Sequence, residues 1–368
     1  MPATETLNEA KRIMQICNAC RYCEGYCAVF PAMTKRLLFS EGDVTYLANL
    51  CHGCQGCYYA CQYAPPHEFA VNVPKTFAEL RAETYHDYAW PGIFQKLFEG
   101  NGKWVALIVA ALTVLVTALT VFIQGADVVG GIHTGAGAFY EVIPHNVIVA
   151  AASAPFLFAM LAFLVGLLKF WRDIGAKPSE LLNPSHLIQA FRDAGQMKYM
   201  AGGGHGCNYP DDNFSMARRY AHQFTMWGFM LCFAATSVAT LYHYVFGWEA
   251  PYDYFSVPVV LGTLGGIGLL IGPVGLLMIK KKADTAPQDT RQRGMDIAFL
   301  WLLLLTGLTG LALLGLRETA MMGSLLAIHL GIVLGMFFTF PYGKMVHAVY
   351  RLGALIKFAS ERDLKSTD

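Results

Sequence analysis

Apolar and polar positions divide the chain into two unequal parts. Residues 1–100 mix both kinds of side chain, whereas most of the remaining chain is apolar. The first part lacks alternating β-branched runs, and TYLANLCHGCQGCYYACQ and PKTFAELRAETYHDY read as helices. In the second part, six runs are long enough to cross a bilayer, whose core of roughly 30 Å needs about 20 apolar residues. They cover about 104–124, 146–170, 221–246, 256–279, 295–316 and 321–342. The expected fold is all-α. A helical domain over 1–100 precedes a six-helix transmembrane domain over 101–350, with a polar loop at 171–220 and a tail at 351–368.

The connections carry an orientation signal, because Lys and Arg collect in cytoplasmic loops. None lies between Gly125 and Asn146 or in FGWEAPYDYF, and only Arg317 lies between the fifth and sixth runs. The loop after the second run holds Lys177, Arg192, Lys198, Arg218 and Arg219, and that after the fourth holds Lys280, Lys281, Lys282, Arg291 and Arg293. The tail adds Lys344, Arg351, Lys357, Arg362 and Lys365. This alternation predicts a multi-pass protein of the cell inner membrane with both termini cytoplasmic. Composition agrees, since 55% of residues are hydrophobic and only 14% charged, against about a quarter charged in soluble domains. A net charge of +1 predicts no nucleic-acid partner. Spacings of the GxxxG kind at Gly262/Gly266, Gly268/Gly272 and Gly331/Gly335 read as close helix packing in lipid.

The chemistry is concentrated in the first part. Cys17-x2-Cys20-x2-Cys23-x3-Cys27 precedes Cys51-x2-Cys54-x2-Cys57-x3-Cys61, and together they use eight of ten cysteines. This is the ligand run of bacterial two-cluster ferredoxins, in which the fourth cysteine of each run serves the other cluster. Cys17, Cys20, Cys23 and Cys61 are therefore assigned to one [4Fe–4S] cluster, and Cys51, Cys54, Cys57 and Cys27 to a second. Zinc sites usually pair two C-x2-C knuckles, so a third cysteine at the next x2 step fits zinc poorly. Disulfides would need an oxidising compartment, and no secretory signal precedes the runs. Neither fourth cysteine has a proline directly after it; Ala28 and Gln62 stand there. Cys207 and Cys232 read as a loop thiol and a small buried apolar residue.

Ionisable residues inside spans are rare and usually functional. The third run holds His222 and His243; the sixth holds His329, with His347 just beyond. As one continuous helix, His329 and His347 would share a face about 27 Å apart, and His222 and His243 would differ by about 31 Å in rise. Orientation places His222 and His347 at the inner side and His243 and His329 in the outer half. Each pair is a candidate for bis-imidazole ligation of a haem b, two in all. Pro341 disturbs the phase of His347, and His145 is an alternative to His243 or His329. His52, His67, His86, His133, His186 and His205 sit in polar segments and read as surface or loop residues. Lys344 and Tyr350 at the inner side, and Tyr242 and Tyr244 at the outer, are candidates for a quinone site, with interfacial anchoring the plainer role. Gly202-Gly203-Gly204-His205-Gly206-Cys207 is either a flexible loop or a docking surface beside the clusters.

The sixth run, HLGIVLGMFFTFPYGKMVHAVYR, resembles the b-haem membrane subunits of respiratory nitrate reductase (gamma subunit) and heterodisulfide reductase. The whole chain resembles the tricarballylate (citrate) utilisation protein B group through CNACRYCEGYCAVFPAM, CHGCQGCYYACQYAPPHEFAVNVPK, GGGHGCNYPDD and RRYAHQFTMWGFMLCFAATSVATLYHY. The resemblance implies a membrane partner for a separate FAD-dependent dehydrogenase that oxidises tricarballylate to cis-aconitate. The membrane protein would reoxidise the flavin through iron–sulfur centres and haem, delivering electrons to quinone. A related arrangement is fused to a flavoprotein in cobalamin biosynthesis, so the partner's substrate is left open. The chain itself has no flavin or nicotinamide fingerprint and no plausible site for acting on a carboxylic acid. Two other classes stay open: a quinol-oxidising subunit of a heterodisulfide-reductase-like complex, and a metal-binding transporter or sensor.

Overall fold

The computed structural model describes residues 4–363, so the tail position Lys365 lies outside the described residues. The amino-terminal part is helical. Helix α1 (Glu5–Cys20) starts where the Thr4 hydroxyl accepts a hydrogen bond from the Leu7 amide and ends at Arg21 in the left-handed conformation. It buries Leu7, Ala10, Ile13 and Met14, one apolar stripe. Helices α2 (Val29–Met33), α3 (Glu41–Leu50), α4 (Gly56–Tyr59) and α5 (Val73–Tyr88) complete the domain. A reciprocal cap opens α3: the Ser40 hydroxyl accepts from the Asp43 amide, and the Asp43 carboxylate accepts from the Ser40 amide. Phe77, Leu80, Val44 and Leu47 are almost fully buried between these helices.

Six further helices are long and apolar enough to cross a membrane: α6 (Lys103–Gln124), α7 (His145–Asp173), then, after α8 (Pro184–Gly195), α9 (Ala217–Phe246), α10 (Val257–Lys282), α11 (Arg293–Leu316) and α12 (Met322–Thr339). Their outward faces are rich in Leu, Val, Phe and Ile. Small residues let neighbouring backbones touch. A Cβ at Gly268 would lie 2.9 Å from the Gly228 Cα, and one at Gly272 would run into the Thr225 hydroxyl, which brings α10 against α9. Gly331 and Gly335 seat α12 on Thr113 and Val109 of α6 in the same way. Gly262 and Gly266 do not share a partner: the first faces Ala235 of α9 and the second Leu311 of α11.

The sixth run is not one helix. After α12, residues Phe340–Tyr342 form a tight 3-10 turn around Pro341, Gly343 is extended, and a new helix, α13, begins at Val346 and runs to Asp363. Proline removes a ladder donor and cannot continue the helix. The common face expected for His329 and His347 is therefore lost. Nor are the described residues 351–363 a loose tail. Ala354, Leu355, Ile356 and Phe358 of α13 are buried, and α13 packs on α3 and α8. Glu361 forms an ion pair with Arg36 at 2.6 Å and accepts from the Tyr46 hydroxyl at 3.1 Å. The amino-terminal domain and the carboxy-terminal helix thus lie on the same side of the bundle. The strand pair β1 (Cys207–Asn208) and β2 (Phe214–Ser215), in the polar loop before α9, is the only sheet among the described residues.

Candidate iron–sulfur and haem site

The two cysteine runs each wrap from a helix end into a turn, which turns three thiols inward. The fourth comes from the other run. Cys17, Cys20, Cys23 and Cys61 line a cavity of about 280 Å³ together with Cys57, the polar Arg21 and Gln62, and apolar side chains such as Ile16, Phe30 and Val71. Burial, with the neighbouring thiols adding to it, pushes Cys17 and Cys23 up to about 12. Cys27 leaves its own run to lie near Cys51 and Cys54, and Cys57 lies near these three and near Cys23. Burial pushes Cys27 and Cys57 well above the ordinary thiol value and Cys54 to about 12. Such thiols ionise only against strong positive charge, which bound iron supplies. Among the described residues no group of three or more His, Cys, Asp or Glu could hold a single metal ion. Eight soft sulfur donors in two quartets, the first lining that cavity, fit two [4Fe–4S] clusters.

The turn of the second run, Cys51–Gln55, is tightly wound, with Gly53 and Gln55 at positive φ. Guanidinium groups hold its carbonyls. Arg218 donates to Gly53 at 2.6 Å and to His52 at 3.1 Å; Arg351 donates to Cys51 at 2.7 Å; Arg81 donates to Ala48 at 2.6 Å and to Cys51 at 3.3 Å. His52 corrects the sequence reading. It is buried, not a surface residue, and its Nδ1 donates to the Leu50 carbonyl at 2.7 Å. Burial and then the Arg351 charge hold its imidazole well below the ordinary value, so it is neutral. His186 is buried as well.

His222 of α9 and His347 of α13 meet beneath this turn. Their ring centres are 6.2 Å apart with planes at 82°. Two imidazoles bonded at about 2 Å to one metal between them would place their centres about 6 Å apart. The His347 Nδ1 donates to the Lys344 carbonyl, which leaves Nε2 with its lone pair. The His222 Nδ1 is buried without a hydrogen-bond partner. The inner pair therefore fits a haem.

The outer histidines are arranged differently from the sequence expectation. His243 and His329 do not face each other. His243 stacks on His145 with ring centres 3.6 Å apart, and Tyr140 stands edge-on to both. His329 turns toward α11, where its Nδ1 lies 2.9 Å from the Thr309 hydroxyl oxygen. That hydroxyl donates to Leu305, so it accepts from His329 and leaves the His329 Nε2 free. The difference arises because α9 lies along α10 and α12 lies along α6, so the two histidines turn toward different neighbours.

Of the quinone candidates, Tyr350 is buried against Tyr85, Tyr88 and Phe170. Lys344 pairs with Asp296 at 2.6 Å, which also binds Lys280 at 2.6 Å. Tyr242 packs against Trp248 and Tyr252, while Tyr244 is exposed beside His145. In the Gly202–Cys207 segment, Gly203, Gly204 and His205 are exposed, whereas Gly202, Gly206 and Cys207 are buried. Four of its glycines have positive φ, the Asn208 amide donates to the Cys54 carbonyl, and the fully buried Cys207 thiol donates to the Met200 carbonyl. Cys207 thus lies against the second quartet, a position its isolation in the sequence did not reveal. Cys232 packs beside Gly265 within the bundle.

No solved structure matches the chain. The Fer4-like domain of citrate utilization protein B matches residues 10–87, and the citrate utilization protein B model matches residues 100–368. Citrate utilization protein B of Escherichia coli is 51% identical over 363 residues, covering 98% of this chain and 93% of that protein. With a ferredoxin-like cysteine domain joined to six membrane-length helices and matched along nearly its whole length, the chain belongs to the citrate utilization protein B family.

Proposed function

We propose that the protein carries single electrons from the reduced flavin of a cytoplasmic, FAD-dependent dehydrogenase, one acting on tricarballylate, to the membrane quinone pool. Iron–sulfur clusters and haem, when bound, exchange one electron at a time, which splits the two-electron oxidation of a flavin into steps. The chain's residues hold and order these centres. Cys17, Cys20, Cys23 and Cys61 hold one [4Fe–4S] cluster; Cys51, Cys54, Cys57 and Cys27 hold the other. His222 and His347 hold an inner haem b. An outer haem b draws its ligands from His329, His243 and His145. The substrate chemistry belongs to the partner. The Lys and Arg alternation supports a cytoplasmic position for the cysteine domain and α13.

The observation that carries this reading is the inner imidazole pair, 6.2 Å between centres, directly beneath the second cysteine turn. The test is an absorption spectrum of protein purified without air, oxidised and dithionite-reduced, with iron and haem quantified. Sharp reduced α-bands over a broad cluster background are expected. A well-folded, colourless and iron-free protein would overturn the reading.

A further inference from the structure

Two arginines stand at mirrored positions beside the inner imidazoles. Arg218 lies four residues before His222 on α9, and Arg351 lies four residues after His347 on α13. Four residues make about one helical turn, so each arginine shares a face with its histidine and lies about 6 Å from it along the axis. Both turns lead toward the second cysteine run. The carbonyls of three successive residues, Cys51, His52 and Gly53, each accept from one of these two guanidinium groups. Arg218 is further fixed by the Tyr209 ring, 4.6 Å below it. Each helix that offers an inner imidazole therefore also grips the turn carrying a ligand of the second quartet. Arg81 also donates to the Cys51 carbonyl, and simple packing requires neither the mirrored spacing nor three cations on one turn. A positive charge beside an iron–sulfur centre favours its electron-rich form.

We propose that Arg218 and Arg351 are positioning residues that lock the Cys51–Gly53 turn onto the His222–His347 pair, make the second quartet the electron donor to the inner haem, and raise that cluster's potential above what its thiolates alone would set. This rests on the functional reading above. With the centres bound, an electron leaving the cluster held by the Cys51 quartet would be taken up by the haem held by His222 and His347, and the partner's reduced flavin would replace it, so no other oxidant or reductant is required.

The test uses the full chain, purified without air, as wild type, Arg351→Gln, Arg351→Lys and Arg218→Gln. Clusters are monitored by electron paramagnetic resonance during redox titration, and haem reduction by rapid mixing with dithionite. Each Gln variant is expected to lower the midpoint of one cluster and leave the other unchanged. Haem reduction should slow by about 10–100-fold, the usual effect of removing an outer-shell partner of a metal centre. Arg351→Lys keeps the charge and should restore the potential. Gln variants that retain iron and haem but match wild type in both midpoints and in rate overturn the proposal, as does an equal shift of both clusters. Where Arg351→Gln fails to fold, Arg218→Gln decides by the same readings. Wild type lacking haem bands would sink the functional reading itself; wild type with haem and clusters beside unresponsive variants sinks only the positioning role.

Discussion

Cys27 and Cys207 both lie near Cys54, yet they differ in what they face. Cys27 is grouped with Cys51 and Cys54, whereas the Cys207 thiol is spent on the Met200 carbonyl. Cys27→Ser should therefore lower cluster iron by about half, one of two clusters being lost, while Cys207→Ser should leave iron unchanged. Equal iron loss in both, by colorimetric assay, would refute the grouping. His347→Ala should remove the inner haem. His329→Ala should remove only the outer one and leave cluster reduction intact; loss of both haems in a folded protein would refute that division. The ferredoxin-like character of the cysteine domain was legible in the sequence because cluster ligands keep a fixed local spacing. The burial of His52 was not, since its position between two cysteines says nothing of what lies above it.

Helices differ in what holds them. The cap of α3 should contribute about 0.5–2 kcal/mol, so Ser40→Ala should lower the melting temperature in detergent. Burial pushes the Asp43 carboxyl up, but hydrogen bonds from Ser40 and Arg36 outweigh it and hold the group below the ordinary carboxylate range. A depressed carboxyl stabilises the fold above its unfolded pKa and loses that contribution as pH falls through the folded value. The gap between wild type and Ser40→Ala should accordingly narrow in acid, and a gap constant with pH would contradict this account. In the bundle, Gly335→Leu should separate α12 from α6, because its Cβ would stand 2.9 Å from the Val109 Cα. Gly315→Ala, which meets nothing within 4 Å, should be tolerated and stabilise α11 by roughly 0.5–1 kcal/mol. Equal thermal losses in the two variants would count against close packing as the reason for these glycines.

At the scale of the whole molecule, α13 joins the parts. Its first turn carries His347, its second Arg351, and its last Glu361, paired with Arg36 of the amino-terminal domain. Glu361 lies about 21 Å along the helix from His347. Even so, Glu361→Ala should loosen α13 and lower haem retention during detergent washing, together with greater proteolysis near the carboxy terminus. Retention equal to wild type would show that the two ends of α13 are independent. The same helix ties the sidedness of both chain ends together, so reporter fusions after residue 131 and residue 205 should report opposite sides of the membrane.

Sequence alone determined the number and approximate positions of the membrane-length helices and the helical character of the cysteine domain. These depend on local composition and spacing, and a bilayer or a metal cluster imposes both within a few turns of chain. Only the tertiary structure decided direction and partnership: that Pro341 ends α12 before His347, that His243 turns to His145 and His329 to Thr309, and that Arg218 and Arg351 close on one turn. Those facts depend on which helix faces which and on the rotation of each about its axis. Glycine contacts and loop paths across more than a hundred residues set both, and no local pattern encodes them.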